Sequence, residues 1–487
     1  MSRFNAYEYF IKRHIDEGKG NNVAVYNQGN RYTYQDVSEL VEQRYKELFE
    51  KVRFASRCGL LMGDSIISLV LYLGMLNEGI TPAFISKKTE FDSLCDILIK
   101  GRFDLLIVDE ELLGKSQLER IVECTKIEKL FVLCKNGELR EKYQSKSLKN
   151  KKKEFEFILF SSGTTGTPKG IVHAQEHMKF AAEIYSDQFM YTTDTDIMYA
   201  LSNLNYTFSF ANATFQSFYH ASATIISDDT DIWTIIDNIN MIHPTILCGV
   251  PSAFVMILKM YKVAKIDLSS VRMILCAGEQ LPKKVWQEWE RETGIPIIEG
   301  YGSVEVLTNV ISNSVDEYVP GSSGKRVEGF EITMDNDGAI CITGPCVSDK
   351  SIESNEKIGN TYISRDIFEV NDKGYYFYKG RSDTVFKHNG VWFNPQEIES
   401  MLENEKEIRD VVVMNRELKL IAFVSGNMNV IKEIGYWKMM QKKIKSSISH
   451  GHCPNEIVIV EEIPRNINGK KIRKMIGEEK WINCMKI

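Results

Sequence analysis

Apolar positions in the first 150 residues follow two rhythms. Short unbroken runs at residues 23–26, 104–109 and 130–134 have the length and aliphatic content of strands buried on both faces. Helix-like stretches lie between them. One follows Tyr32-Thr-Tyr-Gln-Asp36 and is rich in Glu and Leu; another covers residues 69–78 and stops at Gly79, the residue type that most readily closes a helix. Strand and helix in alternation predict an α/β region with parallel sheet. The longest apolar run, residues 66–76, is too short to cross a bilayer, and residues 142–154 are basic and polar, reading as a solvated linker.

At residue 155 the pattern changes. A strand-like run over 155–160 opens into Ser161-Ser162-Gly163-Thr164-Thr165-Gly166-Thr167-Pro168-Lys169-Gly170. Glycines let the main chain approach an anion, hydroxyls and successive N–H groups donate to its oxygens, and Lys169 supplies a mobile positive charge. The composition is that of a phosphate cradle. It is not the P-loop, in which Ser or Thr follows the lysine, because Gly170 stands there. Two metal-like spacings, His173-Ala-Gln-Glu-His177 and His450-Gly-His452-Cys453, are read as structural. The first is explained by the loop it follows, and the second is a turn closed by Pro454.

The strand-then-glycine arrangement returns twice. Residues 272–276 run into Ala277-Gly278-Glu279, and residues 297–299 into Gly300-Tyr301-Gly302-Ser303-Val304-Glu305. A carboxylate after a glycine turn at a strand end suits binding more than packing. Between the cradle and these turns lies the aromatic segment 203–212, which composition alone assigns to a core. Beyond residue 384 the short strands at 410–415, 419–425 and 457–460, with a helix begun by Pro395, predict a smaller α+β domain that closes on Gly469-Lys470.

With 487 residues, 43% hydrophobic and 26% charged, the chain can hold more than one domain. A net charge of −6 gives no electrostatic reason to expect nucleic acid or an anionic membrane surface. Ten cysteines without a CxxC pair read as reduced thiols. An N-terminus without the apolar core of a signal peptide makes the cytoplasm the expected compartment.

Taken in order, these stretches resemble the acyl-adenylate-forming superfamily of acyl-CoA and aryl-CoA synthetases, stand-alone adenylation domains and luciferases. The text around residues 203–212, Gly249-Val-Pro-Ser and Cys276-Ala-Gly-Glu279 is most similar to the benzoate-CoA ligase branch. The resemblance implies an α/β fold: a large domain over residues 1–382, built from two flavodoxin-like subdomains and a small β-barrel, then a mobile α+β domain over 383–487. It implies ATP and Mg²⁺ as cofactors. Ser161, Ser162, Gly163, Thr164, Thr165, Gly166 and Lys169 would hold the phosphates. Ala277, Gly278 and Glu279 would pack on adenine, Tyr301 beside Gly302 would stack on it, Asp366 would hold the ribose, and Arg381 would be a second ribose or phosphate contact. Glu305 would bind Mg²⁺ and Lys470 would be the catalytic lysine. Asp383 falls at the hinge, and Gly390 lies in the segment that reaches the site for the second step. Tyr206, Phe208, Ala211 and Thr308 would line the acyl pocket. Ala211 replaces the aspartate with which amino-acid-activating members hold an ammonium, implying an acid without an α-amino group.

The chain departs from the family pattern in three places. Val304 replaces a threonine whose hydroxyl meets the α-phosphate, Ser364-Arg365 precede Asp366 where Thr-Gly is usual, and Thr308 stands where the benzoate branch has histidine. The activity implied is ATP-dependent formation of an acyl-adenylate from an aromatic or apolar acid, then transfer to the thiol of CoA. A second reading loads the acid onto the phosphopantetheine of a carrier protein. A third is a degenerate nucleotide-binding member with little catalysis.

Overall fold

A computed structural model describes residues 3–486 except 45–47, 147–150, 162–167, 349, 353–358, 383–384, 389–390, 417–418, 448–452, 465–470, 472, 474–475 and 477–480. The chain divides into two compact units. One comprises Met1–Thr333, Cys341–Tyr362 and Val370–Phe377; the other comprises Met334–Ile340, Ile363–Glu369 and Tyr378–Ile487.

Runs that are apolar at every position become central strands. Leu105–Asp109 and Met273–Cys276 are buried along almost their whole length, as strands covered on both faces must be. From edge to edge, an eight-stranded sheet runs Lys350–Ser351, Lys169–Ala174, Glu156–Ser161, Thr81–Phe84, Arg57–Leu61, Leu105–Asp109, Lys129–Leu133 and Leu139–Gln144. Its pairings are parallel from Glu156–Ser161 through Lys129–Leu133 and antiparallel outside them. The helix Ile66–Asn77 is apolar all round and buried. Ser65 Oγ accepts from the Ser68 amide at its start, and Gly79 takes φ +65° just past its end.

The nine-stranded sheet runs Lys325–Arg326, Asn309–Ser312, Ile297–Gly302, Met273–Cys276, Ile246–Gly249, Ile197–Ala200, Ala223–Ile226, Val23–Asn27 and Asn30–Thr33. Val23–Asn27 pairs parallel with Ala223–Ile226, so the hairpin of Val23–Asn27 and Asn30–Thr33 joins a sheet otherwise built from residues 197–326. The helix Lys283–Thr293 sends Trp286 and Trp289, three positions apart, into the core on this sheet.

The basic stretch 142–154 is more structured than a solvated linker. Leu139–Gln144 runs into it as an edge strand, and Lys151 Nζ reaches Asp104 (2.9 Å) and Glu128 (2.8 Å). The small barrel expected from the resemblance also takes another form. Glu331–Met334, Ala339–Thr343, Thr361–Val370 and Tyr376–Arg381 form a four-stranded sheet, and the strand order among the described residues does not close.

In the second unit, Ile408–Arg416, Lys419–Gly426, Glu456–Val460 and Trp481–Lys486 form a sheet with two dressed faces. Val411, Val413, Ala422 and Ile457 pack with Trp437 and Leu402 on one face; their neighbours Val412, Phe423 and Val458 pack with Ile463 and Ile476 on the other. Among the described residues no helix is long and apolar enough to cross a membrane.

Candidate active site

The strands Glu156–Ser161 and Lys169–Ala174 pair antiparallel with Ser161 opposite Lys169, and Ser161 Oγ donates to the Lys169 carbonyl (3.4 Å). Ser162, Gly163, Thr164, Thr165 and Gly166 lie outside the described residues, but the two ends of their loop stand side by side. Lys169 is exposed at the start of the returning strand. Gly170 is required by its surroundings: a Cβ there would stand 2.8 Å from Ile352 Cδ1 and 3.0 Å from the Phe160 ring. This close approach explains why glycine, and not the hydroxyl residue of a P-loop, follows the lysine.

The second glycine turn is equally tight. A Cβ on Gly302 would meet the Thr308 carbonyl oxygen at 2.3 Å. Between these two residues Val304–Val306 form one 3-10 turn, Leu307 takes φ 63°, and Asn309–Ser312 returns antiparallel to Ile297–Gly302. Each carbonyl of the turn is held by a different donor. His173 Nε2 reaches Val304 O (2.8 Å), the Ser348 amide donates to Glu305 O (2.7 Å), and the Cys346 thiol donates to Val306 O (3.4 Å). Burial pushes the Cys346 thiol up, which keeps its S–H available. Ser348 Oγ donates in addition to Val172 O (2.5 Å), on the strand that begins at Lys169. Glu305 is thus carried, half-buried, on a turn braced against that strand.

His173 is buried and stacked on Phe157, its cross-strand partner, with ring centres 5.3 Å apart and planes 19° apart. Burial, helped by the adjacent His177 ring, holds it down at about 3 against the opposing effect of the Val304 bond. The ring is neutral. Because a carbonyl can only accept, the proton sits on Nε2, and Nδ1 accepts from His177 Nδ1 (3.1 Å). Among the described residues no group of three or more His, Cys, Asp or Glu is placed to hold a metal ion.

One strand residue back from Gly300, Glu299 is 3% exposed. Its Oε1 accepts from the Leu281 amide (3.3 Å), and its Oε2 is buried with no hydrogen-bond partner. Desolvation raises it to about 8 against the Leu281 bond, so the carboxyl is protonated at neutral pH. Leu281 follows the segment Ala277-Gly278-Glu279, in which Ala277 is buried, Gly278 takes φ +91° and Glu279 is exposed. Tyr301 is half-buried and pairs with Ile311.

The aromatic segment splits between two tasks. Thr207–Ala211 is a short helix in which Phe210 is buried against Tyr72, Phe84, Phe157 and Phe215, which satisfies the core reading of the composition. Phe208 is only half-buried, Tyr206 is exposed at the edge of a cleft lined by Asn203, Lys87 and Asp228, and Ala211 and Thr308 are buried.

In the second unit Asp366 is 8% exposed. Ser364 Oγ donates to Asp366 Oδ2 (3.0 Å) and accepts from the Asp366 amide (2.9 Å), Tyr378 Oη donates to Oδ1 (3.3 Å), and Arg381 Nη1 lies 3.7 Å from Oδ1. The departure at Ser364 therefore supports the aspartate, its hydroxyl doing locally what a short hydrogen-bonding side chain does in a turn. Asp383, Gly390 and Lys470, like His450 and His452, lie outside the described residues.

Sequence reading missed His173, Cys346, Ser348 and Tyr378. The histidine spacing was a signal and reads as structural, but nothing in it names a partner. For Cys346 and Ser348 there was no signal, because their partners are main-chain carbonyls some 40 positions or more away.

The geometry agrees with comparison to known proteins. Residues 12–350 match the family model described as AMP-binding enzyme. The benzoate–CoA ligase of Thauera aromatica is 25% identical over 96% of this chain and 94% of its own length. The crystal structure of the anthranilate CoA ligase AuaEII in complex with anthranoyl-AMP is 25% identical and superposes with a TM-score of 0.82, over 98% of this chain and 97% of that one. ATP-bound MatB from Rhodopseudomonas palustris, 18% identical, shares the fold with a TM-score of 0.80 over 98% of this chain and 99% of that one. The match of the family model over residues 12–350, with a fold shared over nearly the whole length, identifies the chain as a member of the AMP-binding enzyme family.

Proposed function

We propose that the protein activates an aromatic or apolar carboxylic acid with ATP, forming an acyl-adenylate and pyrophosphate, and then transfers the acyl group to the thiol of CoA. The observation that carries this is the bracing of the Val304–Val306 turn on the strand that leaves the Ser161 to Lys169 loop. The named activity of the Thauera ligase supports both the acid class and the thiol.

A carboxylate is a poor electrophile because oxide or hydroxide would have to leave. Attack of its oxygen on the α-phosphorus makes AMP the leaving group, but two anions must then meet, and the site has to supply positive potential in fixed places. Lys169 and the hydroxyl-rich loop take the charge of the departing pyrophosphate, and Lys470 bridges carboxylate and nucleotide. Asp366, kept in place by Ser364 and Tyr378, accepts from the ribose hydroxyls. A magnesium ion suits Glu305, since that cation takes one or two protein carboxylates and keeps several waters; bound there it neutralises phosphate charge.

The experiment is ATP–pyrophosphate exchange over a panel of acids, followed by thioester formation with CoA. Aromatic and apolar acids are expected to support exchange. α-Amino acids of the same size are expected to fail, because the buried Ala211 offers no partner to an ammonium. Exchange with an amino acid and none with its deaminated analogue overturns the pocket assignment; exchange with no acid at all overturns the enzyme reading.

Val304 bears on rate. Restoring the hydroxyl in Val304→Thr is expected to raise turnover by up to about tenfold, the value of one hydrogen bond of roughly 1.4 kcal/mol gained in the transition state. Steady-state kinetics at saturating ATP check it. A loss of activity instead means that the pocket is built around valine.

A further inference from the structure

We propose that His173 is a positioning residue for adenylation, fixing through the Val304 carbonyl the turn that presents Glu305 to the metal–nucleotide complex. The inference rests on the reading of Glu305 as the metal-side carboxylate.

Three observations carry it. First, Nε2 of His173 lies 2.8 Å from the Val304 carbonyl, and that residue directly precedes Glu305, so the bond orients the peptide plane from which the glutamate starts. Second, the ring cannot move away. It is fully buried and stacked on Phe157, and His177 donates to its other nitrogen, which leaves Nε2–H as the only N–H on the ring. Third, His173 belongs to the strand Lys169–Ala174 that begins at the phosphate-loop lysine. One side chain therefore ties the element carrying Lys169 to the element carrying Glu305. Ser348 Oγ, donating to Val172 O while its amide donates to Glu305 O, makes the same connection one residue along. The two charges that must converge on one polyphosphate are held in register by these paired crossings rather than by the loops themselves.

His173→Phe keeps an aromatic ring for the stack on Phe157 and removes the donor. His173→Gln removes the ring and keeps an N–H at about the reach of Nε2. Glu305→Gln tests the underlying reading. Calorimetric titration with MgATP, and with ATP in EDTA, is carried out on the full-length protein and each variant. Glu305→Gln is expected to abolish the preference for MgATP over metal-free ATP. His173→Phe is expected to reduce it about tenfold with metal-free ATP binding unchanged, and His173→Gln to restore it to within about threefold. Nitrogen-15 spectra of the wild-type histidine rings are expected to show His173 protonated on Nε2 alone.

If Glu305→Gln abolishes the preference while His173→Phe leaves it intact, the role of His173 is overturned and the glutamate reading stands. If Glu305→Gln leaves the preference intact, the glutamate reading fails and the inference with it. Should His173→Phe not fold, the other two measurements decide. A wild-type ring protonated on Nδ1, or His173→Gln with the preference lost, overturns the inference; Nε2 protonation with the preference retained in His173→Gln supports it.

Discussion

Lys470→Ala is expected to lower ATP–pyrophosphate exchange by about 10²–10³-fold while still passing a supplied acyl-adenylate to CoA at close to the wild-type rate. Adenylation brings a carboxylate oxygen up to a triphosphate. An ammonium between them offsets the repulsion of two anions in a partly dry site, where charges count for more than in water. Attack of a thiol on the finished mixed anhydride has no such need. Gly390→Leu is expected to do the reverse, leaving exchange largely intact and obstructing thioester formation, because the resemblance implies that this glycine comes close to the thiol in the second step, where a side chain would obstruct it. Pyrophosphate exchange and thiol transfer from synthetic acyl-adenylate, measured on both variants, check the pair. Equal loss of both half-reactions in Lys470→Ala would mean that one fixed arrangement of residues serves both steps, against the mobile second domain that the resemblance implies.

The second large effect is on stability. Glu299 has its carboxyl buried, with one oxygen on the Leu281 amide and the other unpartnered, and burial raises it from 4.5 to about 8. Below pH 4.5 both the folded and the unfolded chain carry the proton, and the group costs nothing. Between pH 4.5 and 8 the unfolded chain releases it while the folded chain retains it, so this contribution is progressively lost as pH rises. Glu299→Gln keeps the shape and the acceptor for Leu281 and does not titrate. The variant is therefore expected to gain on the wild type as pH rises, by on the order of 4 kcal/mol across that window. Urea denaturation midpoints of both proteins at pH 5, 7 and 9 check it. Two curves that run parallel would place the Glu299 carboxylate in contact with solvent or a cation.

The same residue shows how function and packing are tangled in this site. Glu299 stands two positions before Tyr301, and its carboxyl accepts from the amide of Leu281, just beyond Ala277-Gly278-Glu279. A carboxyl kept neutral beneath the two glycine turns adds no negative charge there, yet still ties one turn to the other; under the proposed function that is where the nucleotide would come. A leucine would pack there but leave the Leu281 amide without its acceptor.

The local rhythm of the chain was enough to assign the strands Leu105–Asp109, Lys129–Leu133 and Met273–Cys276, the helix Ile66–Asn77 and its stop at Gly79. Burial on both faces and the left-handed turn each demand particular residue types at particular positions. The need for glycine in these stretches was legible for a related reason: Gly170 and Gly302 stand where any side chain would strike Ile352 or the Thr308 carbonyl, so the residue type itself records the close approach. Pairing across long distances left no such record. Nothing local to residues 23–27 announces that they join Ala223–Ile226, since a parallel strand presents the same apolar run to any neighbour. Nor could the spacing of His173 and His177 distinguish a metal ligand from a donor to Val304, because what decides between them is an acceptor 131 positions away. Residue types that must fill a conformation or a gap were determined by the sequence alone. Which buried polar group meets which was decided only when the two sheets were assembled, because a hydrogen bond to a main-chain carbonyl asks nothing of the side chain it meets.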